Sequence, residues 1–436
     1  MKFNLTRYRK SFNNISVVMI ANLLKLTFGL ILIPVYVRYV PPQELGKFDL
    51  IISFIPILNQ LISMGLTNSL SKFYLQTNNN SYLTYVRATI LIHTKRATAL
   101  LTITYIAFYD YSSTFVDFYI FILFVILLVL ENTTFVQARI YNFNENYKRN
   151  AIVEVSKELI RYTGLISLVI IMDDKLMALF IGTILSWGYH YIQTYFDNKA
   201  VLLEPASLST EQLIELKKYS MPLILLGLSG FLYLSIDRIV VSIFSSSIEQ
   251  VGFLGMAQRI STVLTLLIGS IATVLGITMF KTVDMRKLLR IQNGYLLTLL
   301  ILIVIAISFY FIFQIEIVKY LLTANYSESY LIGVLLLTSL YWNKCRENIE
   351  YFFLITNKTK LVTKVFVFFA FINISMSIYF VIIFDALGAV LATNITFVLH
   401  ALTLFYLASK HGHRLSLKSL MIALVLNILL FCYLFY

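Results

Sequence analysis

Thirteen long apolar stretches fill most of this 436-residue chain, and only short polar connections separate them. Each stretch is long enough for a membrane-spanning helix, which needs about 20 mostly apolar residues. Helix is the expected conformation of every span, because an open strand would leave backbone polar groups unpaired in lipid. Only 13% of the residues are charged, whereas soluble globular proteins carry about 25%. The predicted spans are residues 15–36, 48–66, 88–109, 117–138, 151–171, 177–196, 219–243, 252–280, 291–313, 329–356, 365–384, 388–408 and 419–436.

The net charge of +13 is explained by where the lysines and arginines fall. If the N-terminus lies inside, the inner connections hold 22 Lys and Arg, and the outer ones hold only Arg38, Lys47, Lys175 and Lys319. Such a bias marks the cytoplasmic side of a membrane protein. The sequence therefore predicts a multi-pass protein with a cytoplasmic N-terminus and no nucleic-acid partner.

Similar segments recur in the two parts of the chain. Gly46 and Gly252, 206 residues apart, each lead into the next predicted span. With six spans in each repeat, both halves enter the membrane in the same sense. The predicted fold is an all-α polytopic membrane protein whose two parallel six-helix halves are related by a pseudo-twofold axis along the membrane normal, plus a further C-terminal helix. The predicted parts are residues 1–200, a cytoplasmic linker over 201–218, residues 219–410 and an additional membrane segment over 411–436.

Charged residues inside the predicted spans indicate function, because each costs about 2.5–3.5 kcal/mol on insertion scales. Nine cations lie there, together with six acids that lie beyond the first two residues of their spans. This excess of cations predicts a cavity for an anionic group, since arginine can hold phosphate oxygens in bidentate fashion. The alternatives are structural pairing and interfacial placement of the charged end. The candidate substrate-binding residues are Lys25, Lys95, Arg96, Arg161, Arg238 and Arg259.

A second set of charged residues is a candidate network for ion coupling. In the fifth span, four charged residues at positions i, i+3, i+4 and i+7 share one helix face. Glu131 stands alone in an apolar stretch, where it can carry a proton or act as a neutral hydrogen-bonding acid. Structural pairing between helices is the alternative for the whole set. The candidate coupling residues are Glu131, Glu154, Lys157, Glu158 and Asp237.

The sequence does not point to an enzyme. It has no Gly-rich phosphate loop and no His, Cys or carboxylate set at metal-ligand spacing, so we expect no cofactor and no metal. The longest outer connection, 314–328, carries only Glu316 and Glu328 as acids. Arg346 and Glu350, spaced i, i+4, are expected to form a structural ion pair.

Several segments resemble one family of membrane proteins. They are Lys217-Lys-Tyr-Ser-Met-Pro222, the run from Gly230 to Val240 with its Asp237-Arg238 pair, and Val251-Gly-Phe-Leu-Gly-Met-Ala-Gln-Arg259. Arg38-Tyr-Val-Pro-Pro-Gln-Glu44-Leu-Gly46 adds to the likeness. Over about residues 1–410 the chain resembles the O-antigen flippases, in the polysaccharide branch of the multidrug/oligosaccharidyl-lipid/polysaccharide (MOP) superfamily. Family cores usually contain twelve or fourteen helices, so thirteen spans depart from the pattern and leave the last segment open.

The resemblance implies translocation of a polyprenyl-diphosphate-linked oligosaccharide, such as an O-antigen repeat unit. Transport would run from the cytoplasmic to the outer leaflet of the bacterial inner membrane by alternating access, coupled to an ion. Membrane lipid and the polysaccharide polymerase machinery are the implied partners. The alternative is a cation-coupled exporter of small molecules from the related multidrug branch. Cationic drugs would call for an acidic cavity, whereas the predicted spans hold more cations than acids.

Overall fold

All regular secondary structure in the described part of the chain is helical, which confirms the all-α class. The computed structural model describes residues 5–77, 80–109, 117–144, 146–205, 208–234, 236–280, 284–356, 358–413 and 415–435. Residues 206–207 of the predicted linker, residues 281–283 of a basic inner connection and the N-terminal residues 1–4 lie outside these ranges.

The helices follow the predicted spans closely. In the first part of the chain they are α1 (Leu5–Tyr39), α2 (Pro42–Ser63), α3 (Leu66–Thr77), α4 (Asn80–Ala107), α5 (Phe118–Phe143), α6 (Tyr147–Ile171) and α7 (Lys175–Leu202). In the second part they are α8 (Thr210–Leu234), α9 (Asp237–Phe244), α10 (Glu249–Phe280), α11 (Met285–Ile312), α12 (Ser329–Ile355), α13 (Thr359–Lys410) and α14 (Leu417–Phe435). Short helical turns over 314–326 connect α11 to α12.

Two helices differ from the prediction. The span predicted over 219–243 contains two helices, because α8 ends at Leu234 and α9 begins at Asp237, with residue 235 outside the described ranges. Helix α3 lies in a segment predicted only as a connection. In contrast, α13 contains both spans predicted over 365–408, and its helical geometry is interrupted at Phe384 and Asp385, where those two spans meet.

Five helices in the described ranges are long and apolar enough to cross a membrane by length and composition alone. They comprise Ile20–Tyr39, Pro42–Ser63, Phe118–Phe143, Met285–Ile312 and Lys360–Lys410. Charged residues interrupt the apolar sequence of other helices, such as Lys95 and Arg96 in α4. A shorter apolar helix covers Lys418–Cys432, and its passage through the membrane stays a prediction.

The chain forms two compact units. Unit 1 contains Met1–Leu32 and Ile51–Phe231, and unit 2 contains Ile33–Leu50 and Leu232–Tyr436. Helix α7 packs against α5 and α6 in unit 1, and α12 packs against α10 and α13 in unit 2. Residues 33–50, which we call the outer hairpin after their predicted side of the membrane, thus belong to unit 2. This grouping is separate from the predicted repeat, whose halves 1–200 and 219–410 stay a prediction.

Candidate functional site

A cluster of opposite charges lies within unit 2, with one buried carboxylate and two half-buried arginines. Its members, Asp49, Arg238 and Arg259, are called the arginine cluster below. Arg259 donates from Nη1 to Oδ2 and from Nη2 to Oδ1 of Asp49, each at 2.7 Å. Asp49 is fully buried, and the ring of Tyr36 lies 5.1 Å from the Arg259 guanidinium. The Arg259 fork therefore holds a planar anion in bidentate fashion, which is also how arginine binds phosphate.

The second arginine of the cluster has a neutral partner. Arg238 donates from Nη2 to Oε1 of Gln258 at 2.6 Å. Gln258 and Arg259 are neighbours on α10, so both guanidinium groups are anchored to the same turn of that helix. Arg238 is also close enough to Asp49 for electrostatic attraction.

Glycines let the outer hairpin approach α10 closely. A Cβ added to Gly46 would lie 2.3 Å from the carbonyl oxygen of Ile248, and one added to Gly252 would lie 2.1 Å from that of Pro42. A Cβ at Gly255 would lie 1.8 Å from Oδ2 of Asp49. Space for the ion pair thus depends on residues that have no side chain.

Asp237 lies in a separate group of oxygen-bearing side chains, called the Asp237 cluster. The hydroxyl of Thr393 lies 3.2 and 3.1 Å from the two carboxylate oxygens of Asp237 and 3.3 Å from Oδ1 of Asn373. All three residues are buried. Carboxylate, amide and hydroxyl oxygens are the ligands that small, hard cations prefer.

The four charged residues predicted to share a face of α6 form ion pairs within unit 1. Lys157 lies 3.0 Å from Glu154 and 3.8 Å from Glu158, and Arg161 lies 2.6 Å from Glu158. The Lys157 ammonium also lies 4.5 Å from the ring centroid of Trp187. Most charges on this face are thereby compensated locally, as the structural alternative requires.

Two further candidates lie close to this face. Lys25 attracts Glu154 electrostatically, and Lys157 attracts Glu131 in the same way. Nδ2 of Asn59 donates to Oε1 of Glu131 at 2.9 Å. Lys25 and Glu131 thus lie near the α6 ion pairs, and we call this group of charged residues the unit 1 network.

Lys95 and Arg96 have a different environment. Both are exposed, and exposed apolar side chains flank them one turn away, at Ile92 and Leu100. They thus lie on an exposed, largely apolar face of α4, apart from the clusters described above. Whether this face lines a cavity stays a prediction.

Sequence reasoning missed several residues of these groups. Asp49 is the second residue of a predicted span, and a count of every acid inside the spans would have found it. Asn59, Asn373 and Thr393 are uncharged polar residues, which are common in membrane helices and give no comparable signal. The expected pairing of Arg346 with Glu350 is confirmed. Within the described ranges, no three His, Cys, Asp or Glu side chains meet as a metal site would require.

The chain is similar in fold to a solved flippase and to solved transporters. The lipid II flippase MurJ in an inward closed conformation matches with a TM-score of 0.73 and 14% identity, covering 97% of this chain and 92% of MurJ. A MOP superfamily transporter from Pyrococcus furiosus matches with a TM-score of 0.62 and 14% identity, covering 91% of this chain and 95% of its own. The Vibrio cholerae MATE transporter VcmN matches with a TM-score of 0.54 and 12% identity, covering 97% and 98% of the two chains.

At these identities the likeness shows the fold, which is that of MOP superfamily transporters. Comparison with curated proteins finds no match. The sequence profile of a family described as polysaccharide biosynthesis protein matches residues 11–283. The chain belongs to this family, and the resemblance seen in its sequence motifs is confirmed at that level.

Proposed function

We propose that the protein is a flippase for a polyprenyl-diphosphate-linked oligosaccharide, such as an O-antigen repeat unit. It moves this lipid from the cytoplasmic to the outer leaflet of the bacterial inner membrane by alternating access. The N-terminus lies in the cytoplasm, and the polysaccharide polymerase machinery receives the product. The observation that carries the proposal is the arginine cluster, in which two half-buried arginines meet a buried carboxylate, in a chain with a transporter fold and a polysaccharide family profile.

Charge supports a diphosphate as the bound group. A diphosphate diester carries two negative charges, and Arg238 and Arg259 supply two positive ones. In the described conformation Asp49 and Asp237 compensate these formally. Binding of an anion therefore requires that one or both carboxylates be neutralised or moved, because an uncompensated carboxylate would repel it at short range.

The balance of charges in these two clusters also supports coupling to an ion. A cation or proton held by the Asp237 cluster would cancel the charge of Asp237, next to Arg238 in the chain. The arginines would then attract the diphosphate more strongly, so cation binding and substrate binding would favour each other. The unit 1 network of Glu131, Glu154, Lys157 and Glu158 is a second proposed coupling element, with Lys25 and Arg161 as its cations.

The test is complementation of a bacterium that lacks its own polysaccharide flippase. Wild type should restore surface glycan, whereas Arg259→Ala should fail at normal membrane abundance. The paired change Lys95→Ala/Arg96→Ala tests the α4 face in the same strain. Arg290→Ala, an exposed arginine at the start of α11, is the matched control and should behave as wild type.

The outcomes separate the alternatives. Restoration by wild type and all variants would support the function and reject the proposed arginines as substrate-binding residues. Failure of wild type in several hosts that make different glycans would reject the flippase. The small-molecule exporter would then be tested by drug resistance of cells that express the protein.

A further inference from the structure

The Asp49–Arg259 ion pair has the bidentate geometry that arginine also adopts with phosphate. Both oxygens of Asp49 are engaged by the two terminal nitrogens of Arg259, and the carboxylate is fully buried. A phosphoryl group offers arginine the same arrangement of two oxygens. Asp49 therefore occupies the face of Arg259 that a phosphate would need.

We propose that Asp49 is an internal competitor of the substrate diphosphate for Arg259. The diphosphate binds Arg259 only when Asp49 has left, and the return of Asp49 expels the diphosphate. This inference rests on the proposed function and adds to it a residue that drives release. Asp49 is thus a positioning residue whose effect is exerted through Arg259.

The local packing fits a pair that opens and closes. Asp49 lies on α2, three residues after Gly46. Arg259 lies on α10, after Gly252 and Gly255. Between the two helices the close approaches at Gly46 and Gly252 are to backbone atoms. Because glycines have no side chains to interlock, the hairpin and α10 meet at these two points through backbone atoms alone.

A further contact holds the hairpin in the described position. The Tyr326 hydroxyl donates to the carbonyl oxygen of Val40 at 2.9 Å, and both groups are buried. This hydrogen bond and the Asp49–Arg259 ion pair therefore hold the hairpin together with its buried apolar side chains. Departure of Asp49 frees the Arg259 fork, while Tyr36, 5.1 Å from the guanidinium, belongs to the same hairpin and would move with it.

If Asp49 competes with the diphosphate, removal of its charge should tighten diphosphate binding and lower transport. Asp49→Asn keeps the size of the side chain but removes the charge that competes. Charge-assisted hydrogen bonds are roughly twice as strong as neutral ones, so loss of this competition should tighten diphosphate binding by at least about tenfold. Transport should fall, because the neutral amide displaces bound diphosphate poorly. A purely structural ion pair would instead give lower thermal stability and no gain in affinity.

The experiment uses the full-length protein in detergent with farnesyl diphosphate as the probe. Farnesyl phosphate and inorganic diphosphate, as separate arms, distinguish a lipid-linked diphosphate from a monophosphate and from the free anion. Affinity is measured for wild type, Asp49→Asn, Asp49→Ser and Asp49→Asn/Arg259→Lys. Asp197→Asn is the matched control, because Arg149 holds Asp197 with a similar pair of hydrogen bonds outside the cluster.

Tighter binding of farnesyl diphosphate by Asp49→Asn or Asp49→Ser, absent from Asp197→Asn and abolished by Arg259→Lys, would support the inference. Equal affinity of wild type and both Asp49 variants would overturn it. If wild type also restores surface glycan in that case, the proposed function stands without the competitor. If wild type neither restores glycan nor binds the probe, and the Asp49 variants do not bind it, the proposed function and the inference both fail.

Discussion

Asn59 and Glu131 are 72 residues apart in sequence, yet Nδ2 of Asn59 donates a hydrogen bond of 2.9 Å to Oε1 of Glu131. Asn132 donates in turn to Oδ1 of Asn59 at 2.7 Å. These contacts tie α2 to α5 within unit 1. An acid expected to be isolated in its span thus has a specific neutral partner.

This contact predicts that one substitution of Glu131 lowers transport without lowering thermal stability. Glu131→Gln keeps an acceptor for Asn59, so its thermal stability in detergent should match that of wild type. Glu131→Leu removes the acceptor, and an unsatisfied buried amide costs about 1–3 kcal/mol. Because glutamine cannot carry a proton, surface glycan should fall with Glu131→Gln although the protein is stable. Full surface glycan with Glu131→Gln would assign Glu131 a hydrogen-bonding role only.

Asp237 offers a test of coupling. Asp237→Asn keeps an oxygen for the Thr393 hydroxyl and removes the negative charge that would hold a cation. Wild type should lose surface glycan when an ionophore collapses the driving gradient. The variant should give a low level of glycan that does not respond to the ionophore. A wild-type response by the variant would contradict coupling through this carboxylate, and Thr393→Val, which removes one oxygen, should fall between the two.

Gly255 should tolerate no larger residue. Its added Cβ would lie 1.8 Å from Oδ2 of Asp49 and 3.0 Å from Nη1 of Arg259. Overpacking of this kind costs about 1–3 kcal/mol, so Gly255→Ala should lower the midpoint of thermal unfolding in detergent. Gly294→Ala on α11 is the control, because nothing lies within 4 Å of its added Cβ. Equal midpoints for the two variants would refute the tight packing around Asp49.

Asp197 predicts a dependence of stability on pH. It lies near the end of α7, beyond the predicted span, where hydrogen bonds from Arg149 hold the pKa of its carboxyl below the ordinary value of 3.8. In the unfolded chain Asp197 takes up a proton at a higher pH than in the folded protein. Its contribution to stability is therefore present above about pH 4 and is lost as the pH falls through the lowered pKa.

Thermal unfolding between pH 7 and acidic pH checks this prediction. Asp197→Asn should lose less stability than wild type as the solution is acidified, because it has no carboxyl to protonate. Arg149→Lys should shift the acid loss to higher pH, since lysine cannot reproduce the two guanidinium hydrogen bonds. If wild type and Asp197→Asn lose equal stability on acidification, the Arg149–Asp197 pair does not contribute to the pH dependence.

Local patterns in the sequence were good guides to structure. Long apolar runs predicted where helices lie, and the i, i+4 spacing predicted the Arg346–Glu350 pair. The break before Asp237 was not predictable, because the run around it remains apolar and has no Pro or Gly at residues 234–237. Asp49 and Arg259 are 210 residues apart, and only tertiary packing brings them together. Residue types therefore singled out Arg259 as a candidate, but not the carboxylate that holds it.

The wide sequence separation of this pair also matters during biosynthesis. Asp49 enters the membrane with the second span, when Arg259 has not yet been made. A lone aspartate at the centre of a span costs about 2.5–3.5 kcal/mol on insertion scales, and less near the interface. The growing chain therefore carries an uncompensated acid until α10 is synthesised. Chains truncated before α10 should consequently be better substrates for membrane quality control than chains truncated just after it.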